Sequence, residues 1–433
     1  MSATFHSLKT RNFRLFFTGQ LISQVGNWLT LVAQTLLVFK LTHSGTMLGL
    51  LAAAQFGPVL LMGAYSGLVA DRSDKRKLLL IVQTLAMLQS FALASVAFMH
   101  HPPVAAIFAI AIAGGCATAF DNPARRSFVV EMVPDEDINN AVSLNSALMT
   151  GSRIFGPALA GFLIATVGFG WAFLLDGLSY IAVLVALYRM NPAELRPAPV
   201  TEKGRGQIAE GVRYVRSIPE LWIPLTMMTV IGTLAFNFQT VLPVFVKRDL
   251  HGGTLTFTLL FSVVSTGSLI GALFTARRKY VNLNHVSQAA IGFGVAMTLL
   301  ALAPNTPLAF VVGVGLGLTS IAFMTSSTAI VQTRANPSMR GRVLALQAIV
   351  FLGSTPIGGP IVGLISQHFG ARYALGLGAL GCFIAGTIGV LRRSHSSVDT
   401  AVHGASEARG PMLTEEGGGT PPGEKSAAVL PGF

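Results

Sequence analysis

Long apolar runs separated by short polar and basic interruptions set the structure of this chain, and single-residue alternation is not evident. Crossing roughly 30 Å of hydrocarbon at about 1.5 Å per residue takes about 20 apolar residues. Twelve runs qualify: 15–39, 46–70, 78–99, 103–120, 141–167, 171–189, 222–246, 254–276, 286–303, 307–331, 343–368 and 372–391. Each is predicted to be a helix, because a lone strand in hydrocarbon leaves its amides unpaired. The first run follows Lys9, Arg11 and Arg14 as a signal peptide would, but at about 25 residues it is too long for one and reads as a retained span.

Composition strengthens this reading. Of 433 residues, 52% are hydrophobic and only 11% charged, against roughly 25% charged in a soluble domain. Mean hydropathy is +0.63. A soluble enzyme is excluded, and the expectation is an all-α membrane protein. The net charge of +12 does not indicate nucleic acid, since the basic residues sit in clusters between apolar runs and not on one face. Those clusters orient the chain, because cytoplasmic loops retain Lys and Arg. With both termini cytoplasmic, the inner segments hold 25 basic residues and the outer loops only Lys40, Lys247, Arg248 and Arg372.

The polar segment 191–220 divides the spans six and six, and includes a helix-like stretch from Gln207 to Arg216. The pattern therefore predicts a bundle over 1–190, a cytoplasmic linker over 191–220 and a second bundle over 221–393. From 394 to 433 the chain carries 7 Gly and 4 Pro in 40 residues, a composition that predicts disorder. A repeat at an offset of about 203 residues relates the halves: Gly156-Pro157-Ala-Leu-Ala-Gly161 matches Gly359-Pro360-Ile-Val-Gly363. Gly168 and Gly370 follow seven residues after Gly161 and Gly363, and Gln34-Thr35 matches Gln239-Thr240.

Gly67-Leu-Val-Ala-Asp71-Arg72-Ser-Asp74-Lys75-Arg76, between spans two and three, resembles the signature of major facilitator transporters. Its partner is Gly271-Ala-Leu-Phe-Thr275-Ala-Arg277-Arg278 after span eight. The Gly-Pro-x-x-x-Gly pattern of span five resembles the motif of that superfamily's exporters. The stretch Asp121-Asn-Pro123-Ala-Arg125-Arg126 through Ser152-Arg153-Ile-Phe-Gly156-Pro157 is similar to the subgroup of enterobactin exporters, macrolide-efflux proteins and transmembrane secretion effectors, and the likeness covers about 5–393. The resemblance implies two pseudo-symmetric six-helix bundles, a cytoplasmic gate at Gly67, Asp71, Arg72, Arg76, Asp121 and Arg125, and gating helices carrying Gly156, Pro157, Gly161, Gly359, Pro360 and Gly363. Asp74 departs from the signature, which usually has glycine there. An arginine in the outer half of span four, common in proton-coupled members, has no counterpart here.

Polar residues inside apolar spans mark the candidate chemistry. Gln20, Gln24, Asn27 and Gln34 fall on one face of span one, a stripe that is costly towards lipid. Gln55, Asn237, Gln239, Ser326 and Gln332 are candidates to complete a polar cavity, with interhelical hydrogen bonding as the plainer role for about half of them. Arg153 is about 12 residues, roughly 18 Å, into span five, and Asp176 about 5 residues, roughly 8 Å, into span six. These two are the coupling candidates. Cys116 and Cys382 lie in apolar runs, and no histidine shows metal spacing. A phosphate-binding Gly-Lys-Ser/Thr loop does not occur, so neither ATP nor another cofactor is expected.

The reading is a monomeric secondary exporter, not an enzyme, in a bacterial inner membrane. It would move a medium-sized amphipathic small molecule, such as a siderophore, macrolide-like drug or metabolite, by alternating access coupled to the proton gradient. A facilitated-diffusion importer and a transporter-fold scaffold or sensor are the alternatives.

Overall fold

The computed structural model describes residues 3–196, 207–278 and 281–407. The first bundle comprises α1 (Arg11–Thr42), α2 (Gly45–Arg72), α3 (Lys75–Ala97), α4 (Val104–Glu131), α5 (Ile138–Thr166) and α6 (Phe169–Arg189). The linker carries α7 (Gln207–Ser217), where the helix-like stretch was expected. The second bundle comprises α8 (Pro219–Leu234), α9 (Phe238–Arg248), α10 (Thr254–Ala276), α11 (Leu283–Leu302), α12 (Thr306–Arg334), α13 (Pro337–His368) and α14 (Ala371–Glu407). Among the described residues 12 helical spans are long and apolar enough to cross a membrane, α8 and α9 together making the seventh.

Polar side chains start several of these helices. Ser44, Asp74 and Asn305 accept backbone N–H groups of α2, α3 and α12, and Asn282 forms a reciprocal box with His285 at the start of α11. Such caps satisfy amides that have no partner inside the helix. The repeated glycines have a conformational reason: Gly168 and Gly370, preceding α6 and α14, adopt φ of 90° and 105°, a region that strains any residue with a Cβ.

Three elements differ from the pattern of runs. Span seven is broken between α8 and α9, where Asn237 Nδ2 donates to the Thr233 carbonyl at 2.7 Å and so replaces a helical amide. Span four continues past Ala119 and Phe120 to Glu131, because α4 runs through Pro123 instead of ending before it. The helix α14 extends to Glu407 although disorder is expected from Ser394; between these positions there is no proline and Gly404 is the lone glycine. The expected disorder over 408–433 lies outside the described residues.

Within the unit Met1–Val390 the packing repeats: α2 lies on α4 as α10 lies on α12. The bundles meet along α2 with α13 and α5 with α10. Small residues let these helices approach. A Cβ on Gly45 would stand 3.1 Å from the Gly363 carbonyl, one on Gly49 would strike the Gly359 backbone, and one on Gly161 would strike the Thr258 side chain. At the Gly45 end, Gln367 Oε1 accepts from the Gly45 amide at 2.8 Å and from Arg248 Nη2 at 3.2 Å; Arg248 also donates to the His43 carbonyl at 3.1 Å.

Candidate transport cavity

A cavity of about 450 Å³ lies inside the first bundle. Its walls come from α1 (Gln24, Asn27, Trp28, Thr30, Leu31, Gln34), α2 (Gln55, Phe56), α3 (Gln83, Gln89, Ser90), α4 (Thr118, Asp121, Asn122, Arg125), α5 (Met149, Thr150, Arg153) and Tyr180 of α6. The amide stripe of span one therefore does face a polar space. Its members are held in register: Gln55 Nε2 donates to Gln34 Oε1 at 2.8 Å, Tyr180 Oη donates to Asn27 Oδ1 at 2.6 Å, and Gln24 Nε2 donates to Gln20 Oε1 at 3.0 Å. Gln20 itself is buried outside the lining.

Asp121 and Arg125 sit one turn apart on α4 and form an ion pair at 2.6 Å. Gln83 Nε2 donates to the other oxygen of Asp121 at 2.7 Å, and Arg125 Nη1 lies 3.4 Å from Gln20 Oε1. Both belong to the cavity wall because α4 carries them there; the loop that the sequence suggests does not form. Arg153 also lines the cavity, and among the described residues it has neither a hydrogen bond nor an ion pair, its buried Nε included. An arginine at the centre of a membrane helix costs about 2.5–3.5 kcal/mol on insertion scales, which is why it faces protein or cavity and not lipid.

Asp176 is wholly buried behind the lining. Its Oδ2 accepts from Thr30 Oγ1 at 2.5 Å and Ser90 Oγ at 2.7 Å, and Ser179 Oγ lies 3.5 Å from Oδ1. A Cβ on Gly26 would strike this carboxylate, so α1 and α6 touch closely there.

The four second-bundle candidates lie elsewhere. Asn237 and Ser326 are buried, Gln239 is half-buried and Gln332 is exposed, and none lines this cavity. In the second bundle Phe236 packs in tilted or edge-to-face contact with Phe238, Phe293 and Phe351, with ring centroids 5.2–6.1 Å apart. The sequence reading missed Gln83, Gln89, Asn122 and Tyr180, though polar groups within apolar α3 carried the same signal as the stripe of α1.

The residues assigned to the gate divide. Arg76 donates from Nε to the Leu187 carbonyl at 2.7 Å and from Nη2 to the Tyr188 carbonyl at 2.9 Å, so it caps α6 of its own bundle. A Cβ on Gly67 would meet nothing within 4 Å, so that glycine makes no close helix contact in this arrangement. Asp71 is half-buried and Arg72 exposed. A buried pair absent from the sequence reading, Lys75 with Glu131 at 2.6 Å, joins α3 to the end of α4. Of the gating-helix residues, Gly156 lies against Trp28, Gly161 against Thr258, and Gly359 and Gly363 against α2; Pro157 is buried and Pro360 half-buried.

Among the described residues, twelve membrane-length helices in two bundles, with a polar cavity in the first, match the architecture of the major facilitator class of small-molecule transporters. The sequence model of the transmembrane secretion effector family matches residues 2–416, and the chain belongs to that family of bacterial membrane proteins. Staphyloferrin A transporter of Staphylococcus aureus is 24% identical over 82% of this chain and 90% of its own. Macrolide efflux protein A of Streptococcus pyogenes is 23% identical over 84% and 93%, and multidrug efflux pump Tap of Mycolicibacterium fortuitum is 26% identical over 82% and 90%. Among solved structures, a bacterial homologue of the human lysosomal transporter Spinster, inward-facing and occupied, superposes with a TM-score of 0.70 at 14% identity, covering 88% of this chain and 95% of that one. A peptide-bound transporter of the POT family gives 0.71 at 12% identity over 89% and 96%. These two establish the fold alone.

Proposed function

We propose that the protein exports a medium-sized amphipathic molecule by alternating access, with the first-bundle cavity as its transport site. The observation that carries this reading is a space of about 450 Å³ lined by amides, hydroxyls and aromatic rings. Pockets for drug-sized ligands run from about 300 to 1,000 Å³ and combine apolar walls with a few placed polar groups. The names of the relatives, a siderophore transporter and two efflux proteins, favour outward transport of such molecules. The seams of α2 with α13 and α5 with α10, closed by glycines, would open and shut as the bundles rock. In this reading the chain works as a monomer in the inner membrane with both termini cytoplasmic. Asp176 and Arg153 couple transport to the proton gradient.

Facilitated diffusion is the second reading. It draws on the state of Asp121, the one carboxylate in the described lining, which is already paired with Arg125.

Efflux of a panel of neutral and charged fluorescent drugs from a sensitised bacterial host tests the proposal. Wild type is expected to lower accumulation, Asn27→Ala and Gln55→Ala to lose most of that effect, and the exposed Gln332→Ala to keep it. Equal losses in all three variants, or no efflux by folded wild type, would overturn it. Wild-type transport that is insensitive to an imposed pH gradient would favour the second reading, whereas a pH response lost in Asp176→Asn would support coupling through that carboxylate.

A further inference from the structure

We infer that Arg153 recognises a carboxylate on the transported molecule, so that the substrates are amphipathic organic anions; this rests on the cavity being the transport site. The ionisable groups of the described lining are Asp121, Arg125, Arg153 and Tyr180. Asp121 is engaged on both oxygens, by Arg125 at 2.6 Å and Gln83 at 2.7 Å. Arg125 is thereby neutralised, and Arg153 is left as an uncompensated cation.

No carboxylate among the described residues comes within 4.0 Å of Arg153. The other buried carboxylate near the wall, Asp176, is held by the hydroxyls of Thr30 and Ser90. Arg125 Nη1 stands 4.0 Å from Met149 Sδ, one turn before Arg153 on α5, and Arg125, Met149 and Arg153 all line this cavity. A cationic ligand there meets like charge, and a neutral one leaves Arg153 unpaired. A carboxylate matches the guanidinium fork with two parallel hydrogen bonds.

Size separates an organic anion from an inorganic one, since about 450 Å³ far exceeds a single small ion. The remaining surface suits the rest of such a molecule. Gln24, Asn27 and Gln55 address hydroxyl or carbonyl groups, and Trp28 and Phe56 face its apolar part.

The test uses the full chain in lipid nanodiscs with two fluorescent probes that differ in one group, dansyl-glutamine and its α-carboxamide. Wild type is expected to bind the carboxylate about tenfold or more tightly than the amide. In Arg153→Gln the ratio falls towards one through loss of carboxylate binding. Arg153→Lys keeps the charge without the planar fork and gives an intermediate ratio, which guards against a glutamine variant that fails to fold. Equal binding of the two probes by wild type, binding of neither, or an unchanged ratio in folded Arg153→Gln overturns the inference. Efflux of neutral drugs measured alongside separates the two levels: efflux without carboxylate preference removes the anion subsite alone, whereas preference without efflux of any compound removes the export reading.

Discussion

Thr30 Oγ1 donates a 2.5 Å hydrogen bond to Asp176 Oδ2, and the same oxygen accepts from Ser90 Oγ at 2.7 Å, so one carboxylate oxygen ties α1, α3 and α6 together behind the cavity. Hydrogen bonds to charged groups contribute about 1.5–3 kcal/mol each. Thr30→Val keeps the shape and removes one donor, and should lower stability by about that amount. Adding Ser90→Ala strips the second donor and leaves Ser179 at 3.5 Å as the remaining contact. The double variant is then expected to depart from the sum of the singles by at least about 0.5 kcal/mol, as groups sharing one network do. Reversible unfolding in detergent measures this, and strict additivity would refute a shared carboxylate network.

The turn between α2 and α3 explains why aspartate replaces the glycine usual in the superfamily signature. Asp74 has φ of −60°, which any residue adopts, and its side chain accepts from the Lys77 amide at 3.1 Å. Asp74→Ala should therefore destabilise α3 by about 0.5–2 kcal/mol, whereas Asp74→Gly should cost only a few tenths. The reverse order in thermal unfolding would mean that glycine-like backbone freedom, and not capping, governs this turn.

What the sequence disclosed follows from what each signal measures. Apolar run length reports helices, since hydrocarbon allows little else, and apart from α4 and α14, which run on past their expected ends, the spans lie close to their expected places. Amides in an apolar run report a polar neighbour without saying which one. Gln24, Asn27, Gln34 and Gln55 found the cavity, while Asn237 found the carbonyl of its own helix and Ser326 a buried site. Gln332 lies near the end of α12, where exposure satisfies it. Pro123 hid Asp121 and Arg125, because a proline after an apolar run reads as a break, yet α4 absorbs it. The phenyl rings clustered around Phe236 look no different in sequence from lipid-facing ones.

Gly49 and Gly359 allow α2 and α13 to meet backbone to backbone. A Cβ on Gly49 would stand 2.9 Å from the Pro360 Cα and closer still to the Gly359 carbonyl, so Gly49→Ala must push the two helices apart. The population should shift away from the arrangement closed at this seam. Ser366, wholly buried on α13, provides a reporter once changed to cysteine in a background with Cys116 and Cys382 replaced. Maleimide labelling at this position should be faster with Gly49→Ala. Gly57→Ala on the same helix, where a Cβ meets nothing within 4 Å, should leave it unchanged. Equal labelling in all three would show that the seam tolerates the extra carbon.

The pair of Asp121 and Arg125 is the point in the cavity wall at which a single change uncovers charge. Their side chains are 13% and 11% exposed, so the pair is shielded from bulk solvent yet borders the cavity. Breaking a buried ion pair from one side typically costs about 3–5 kcal/mol, because the other charge is left alone, while removing both partners is often neutral. Contact with the cavity moderates the penalty, so Asp121→Asn should cost about 3 kcal/mol, the lower end of that range. The double variant Asp121→Asn with Arg125→Gln should recover most of it. Recovery matters for function as well as stability, because Asp121→Asn places two uncompensated guanidinium groups on one cavity and should strengthen carboxylate-probe binding, whereas the double variant returns the cavity to a single cation and to wild-type preference. Thermal unfolding and probe binding on the same three preparations check both halves. A double variant as unstable as the single one would mean that Asp121 acts through Gln83 and not through Arg125.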